Sequence, residues 1–89
     1  MKFEYDKKHG RIVGVRTTTL SKTEIEKLGG IVPSNRHVNP GTGYIPERDV
    51  MRVKTLASRY DVTVSRLGVP YDREIGGFLY RFERTVRMA

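Results

Sequence analysis

The stretch IPERDVMRVKTLASRY, Ile45 to Tyr60, decides how this chain is read. Wound as a helix, it places Arg48, Arg52 and Arg59 at i, i+4 and i+11, within one narrow sector that also holds Thr55. Val50, Val53, Ala57 and Tyr60 then fall on the opposite side. Pro46 stands near the first turn, where its missing N–H costs nothing, and Glu47 and Asp49 complement the positive end of the helix dipole. A helix with an apolar inner face and a guanidinium outer face is built to pack on a sheet and offer cations to phosphates.

The flanks supply the sheet. Lys2 to Tyr5 and Arg11 to Leu20 read as a hairpin turned through Asp6-Lys7-Lys8-His9-Gly10, the return strand being rich in Ile, Val and Thr. Ser21-Lys22-Thr23-Glu24 has the spacing of a capping box, so a short helix follows and ends at Gly29-Gly30. From Gly29 to Tyr44 the chain shows no sustained period and reads as a long loop with Asn35-Arg36-His37 at its centre. Val62 to Val69 alternates, Pro70 to Gly77 is turn-rich, and Phe78 to Met88 alternates again.

The second hairpin puts Phe78, Tyr80, Phe82, Val86 and Met88 on one side of the last strand, with Arg84 interrupting that face near an edge or end. Phe78, Phe82 and Thr85 also recur at helical spacing, so a helix over 76–89 is the competing reading. The expected fold class is α+β, a single domain over 1–89 in the order β-β-α-α-β-β. Its antiparallel sheet has about four strands, with one main helix packed on a face.

Composition bounds the function. The chain has 89 residues and a formal net charge of +7, with 37% hydrophobic and 30% charged residues, which suits one globular domain with a thin core rather than a disordered polycation. Eight aromatic residues and no tryptophan supply the large burial units. There is no cysteine, so disulfides and thiolate metal sites are excluded. No apolar stretch has the length of a signal peptide or membrane span, and the expected setting is cytoplasmic or virion-associated. Arginines outnumber lysines eleven to six, which favours planar bidentate contacts.

No Gly-x-Ser-x-Gly, His-Glu-x-x-His or zinc-finger spacing occurs. Gly41-Thr42-Gly43 lacks the following Gly-Lys-Thr of a phosphate loop, and Gly76-Gly77 reads as hairpin punctuation. Tyr80 and Phe82 beside Arg81 suit either core packing or a base-stacking platform. His9 and His37 have no carboxylate at ligand spacing, so no metal or other cofactor is expected.

The leading expectation is a small non-enzymatic protein that binds DNA or RNA, of the size and charge of a viral or mobile-element accessory factor. Arg48, Arg52 and Arg59 would contact phosphates, and Arg36, His37, Lys7, Lys8 and Arg81 would extend the site. The alternatives are an interaction module for an acidic protein partner and a compact ribonuclease using His37 or His9. No membrane partner is expected, and an exposed sheet edge would permit a homodimer.

Overall fold

The computed structural model describes residues 2–88 as an α+β domain with one antiparallel sheet and two helices. The elements are β1 (Lys2–Asp6), β2 (Arg11–Thr19), α1 (Lys22–Lys27), β3 (Thr42–Pro46), α2 (Val50–Ser58), β4 (Val62–Asp72) and β5 (Gly77–Met88). A single 3-10 turn, Glu47–Asp49, joins β3 to α2. The sheet has five strands rather than four, and an isolated bridge from Ile31 to Tyr44 adds a further extended segment beside β3.

The organising element is β5. Along one edge it pairs with β4, from Asp72 opposite Gly77 to Val62 opposite Arg84. Its other edge carries two partners in tandem, β3 against residues 77–81 and β2 against residues 83–88. The handover falls at Phe82, whose N–H donates to the Gly41 carbonyl at 2.8 Å and whose carbonyl accepts from Leu20 N–H at 3.3 Å. Gly41 adopts φ +78°, and a Cβ there would stand 2.6 Å from Thr19 Cβ, so the ends of β2 and β3 can abut only because this residue has no side chain. The competing helical reading of 76–89 fails because Phe78, Tyr80 and Phe82 all face one side of this long strand.

Opposed residues of paired strands share a face, so the register sorts the sheet. Phe78, Tyr80, Phe82, Ile45, Gly43, Val62 and Val64 lie on the face covered by the helices. The core there joins them to Leu20, Ile25 and Leu28 from α1 and its flanks, and to Val53 and Ala57 from α2. Ile25 packs over Gly30 and Gly43, where an added Cβ would come within 2.5 Å and 2.7 Å of its Cγ2 atom. That contact brings α1 down onto β3.

Several element boundaries differ from expectation. The stretch read as loop to Tyr44 ends in a strand, and the stretch read as helix from Ile45 becomes helical only at Val50 after its 3-10 turn. Ile45 is fully buried opposite Phe78, and Pro46 closes the strand opposite Gly77, whose Cβ would collide with the Ile45 carbonyl. Sheet pairing here overrides helical spacing. At the other end Tyr60 lies beyond α2 and is exposed, while Asp61, at φ 57°, reverses the chain into β4. Pro70 lies in β4 itself, at a register shift between Arg66 and Tyr71, and the turn is confined to 73–76.

Candidate nucleic-acid interface

The solvent face of α2 follows from the burial of Val53 and Ala57 on its other side. Arg52, Thr55 and Arg59 line one open groove there, with Met51 and Leu56 as its apolar wall. Arg48 belongs to the preceding 3-10 turn and does not line this groove, though it too is exposed. Asp49 reaches Arg52 at 3.1 Å, an exposed i,i+3 pair that holds the guanidinium only weakly. Among the described residues, Arg48 and Arg59 make no ion pair. Glu24 and Asp72 serve other arginines.

Cations flank the helix on both sides. Toward the start of β5, Lys54 lies 6.0 Å from the Tyr80 ring centroid, and Arg66 stands 4.6 Å over the Phe78 ring. Tyr71 meets Phe78 edge to face at 4.8 Å and remains half exposed. On the α1 side, an open cleft of about 280 Å³ has Leu28 and Leu56 in its wall and Lys27, Tyr60 and the Glu24–Arg84 pair around it. Ser21 N–H and then Arg84 hold the Glu24 carboxyl below its ordinary range, which favours its ionised form.

The other expected site residues are dispersed. Arg36 forms an ion pair with the buried Asp72 carboxylate and lies 5.3 Å over the Tyr44 ring, which faces away from the helices. Asp72 also accepts from Ile75 N–H at 2.9 Å, so Arg36 ties the long loop to the β4–β5 turn. His37 Nε2 meets Asn39 Oδ1 at 3.2 Å within that loop. Arg81 shares a face with Thr42 and Ser65, opposite the helices, whereas Tyr80 and Phe82 are core residues. A stacking platform built from these three is therefore excluded.

Lys7 and Lys8 occupy the β1–β2 turn, one strand length, roughly 30 Å, from the start of α1. The neighbouring Asp6 carboxyl is held below its ordinary range chiefly by His9, with His9 and Lys8 backbone N–H groups assisting. Each histidine is thus engaged by a neighbour in its own loop. Among the described residues, no group of three or more His, Asp or Glu side chains gathers to hold a metal ion, and no helix is long and apolar enough to cross a membrane.

The Arg66–Phe78–Tyr71 cluster escaped the sequence reading because the β4 register shift assembles it. The available signal was an aromatic residue on each arm of the second hairpin, with an arginine upstream. Chemically, the helix face offers two guanidiniums and a hydroxyl beside apolar wall atoms, a set suited to bidentate hydrogen bonding with phosphate oxygens. Comparison with protein-family models, curated proteins and solved structures finds no match. The class of the protein is accordingly given by its fold and surface alone: a small basic α+β domain with a cationic helix face.

Proposed function

We propose that this protein binds nucleic acid through the helix-bearing face, with Arg52 and Arg59 as the principal phosphate contacts. The observation that carries the reading is that these two arginines and Thr55 border one open groove, while Asp49 is the sole carboxylate paired with them among the described residues. Arg48, Lys54 and Arg66 widen the positive field around the helix, and half-exposed Tyr71 offers a ring to an unstacked base. Arg36 is retained by Asp72 and Arg81 lies on the far face, so neither enters the primary contact set.

Fluorescence anisotropy of labelled duplex DNA, single-stranded DNA and RNA, read at several salt concentrations, tests this. Three to five neutralised phosphates give a log–log salt slope of roughly −3 to −5 on duplex DNA. An Arg52→Ala/Arg59→Ala variant should lose binding at every sequence, and Arg81→Ala should retain it. No binding to any polymer at low salt, or equal losses from the two variants, overturns the reading. The former result would direct the search to an acidic protein partner.

A further inference from the structure

We propose that β1 is a self-association edge, on which a second copy of this chain pairs antiparallel about a two-fold axis centred at Glu4.

In the described sheet β1 is the terminal strand on its side, while the outer edges of β3 and β4 are partly covered or interrupted. Ile31 covers β3 through reciprocal backbone hydrogen bonds with Tyr44, both at 2.8 Å. The outer edge of β4 is broken by its register shift between Arg66 and Tyr71, a segment that contains Gly68 at φ +79° and Pro70. By contrast β1 pairs with β2 in unbroken register over all five residues and has neither proline nor glycine. Its other edge is open.

The sequence of this strand, Lys2-Phe3-Glu4-Tyr5-Asp6, is complementary to itself when reversed. A two-fold axis perpendicular to the sheet keeps faces continuous, so opposed residues must come from the same face. Centring on Glu4 satisfies this and uses the whole strand: Lys2 meets Asp6 of the second copy twice, and Phe3 meets Tyr5 of the second copy twice. Centring on Tyr5 would set Glu4 against Asp6, and centring on Phe3 would shorten the described overlap to three residues. At the Glu4 centre the two carboxylates do not meet uncompensated, because each is hydrogen-bonded to Arg87 of its own chain. Glu4 and Asp61 in turn hold that guanidinium firmly in its charged form.

The apolar face agrees with this arrangement. Phe3, Tyr5 and Ile12 are 69%, 62% and 69% exposed, and all lie on one face of the wing formed by β1 and β2. Met88 follows Phe3 and Gly14 in the same cross-strand row. Pairing through β1 joins the rows of two copies into one aromatic stripe, which covers ring edges that a monomer leaves in water. Five residue pairs make a small interface, so the dimer is a reversible one.

Sedimentation equilibrium of nuclease-treated protein at low salt, from low micromolar to near-millimolar concentration, tests the register as well as the state. Wild type should pass from monomer to dimer. Lys2→Glu alone and Asp6→Lys alone each create two like-charge pairs and should raise the dissociation constant about tenfold. Mixing the two folded variants in equal amounts should restore dimers, because both cross-strand pairs are then opposite in sign. Wild type that stays monomeric throughout overturns the proposal, as does a dimer indifferent to Lys2→Glu. Should Asp6→Lys disturb its turn, the response to Lys2→Glu decides.

Discussion

Gly41 and Gly68 adopt nearly the same backbone angle, φ +78° and +79°, in opposite surroundings. Nothing lies within 4 Å of a Cβ built on Gly68, whereas a Cβ on Gly41 meets the Thr19 side chain. Gly68→Ala therefore carries the left-handed backbone cost alone, about 1 kcal/mol, and Gly41→Ala adds a steric clash for a total of about 2–4 kcal/mol. Urea denaturation of the two variants measures the difference; equal losses would mean that the junction between β2 and β3 yields freely. Arg36 teaches a related lesson. Its loop position and charge suggested a ligand contact, yet its partner is a carboxylate on another hairpin that no local spacing reveals. Arg36→Ala leaves that carboxylate with Ile75 N–H as its remaining described partner and should cost about 1–3 kcal/mol in the same assay, without weakening nucleic-acid binding.

Among the elements, α1 was the most legible. Ser21 and Glu24 cap it reciprocally as their spacing predicts, Glu24 N–H donating to Ser21 Oγ at 3.3 Å and Ser21 N–H to Glu24 Oε1 at 3.1 Å. Because the Glu24 carboxyl titrates below its ordinary range in the folded chain, its contribution is full above that range and is lost as pH falls through it toward the folded value. Melting temperatures measured from about pH 5 to pH 3 should fall less steeply for Glu24→Gln than for wild type. Asp6 acts with the same sign, so part of the acid sensitivity should survive in that variant.

The element least legible was β3. Five residues containing a glycine and a proline show no convincing period, and their strand identity is imposed by the length of β5. The same pairing shortens α2. Its arginine spacing remained readable because Arg52, Thr55 and Arg59 all lie between Val50 and the helix C-cap, while Arg48 fell outside the helix. The aromatic cluster at Arg66 required a register that only the folded hairpin defines.

At the scale of the molecule, the principal extents of 48, 24 and 23 Å describe a body drawn out along one axis. The helices cover the part of the sheet built from β3, β4 and the first half of β5, and the β1–β2 wing projects beyond it. Val13 and Val15 are buried in that wing but stand outside the main hydrophobic cluster. The basic helix face and the wing edge are thus separate surfaces, and the salt dependence of binding and the tendency to dimerise should respond to different substitutions.

The tandem edge of β5 gives one strand two allegiances, since residues 77–82 serve the packed core and residues 83–88 support the wing. Opening of the wing requires only the second half to release its partner, so amide exchange should divide the chain into two tiers. The amides of β1 and the first half of β2 should exchange through a partial opening, with a smaller denaturant dependence than those around Phe82, which wait for global unfolding. Uniform protection across β5 and β1 in dilute protein would instead show a single cooperative unit. A continuous backbone strand thereby marks a thermodynamic boundary in its own middle.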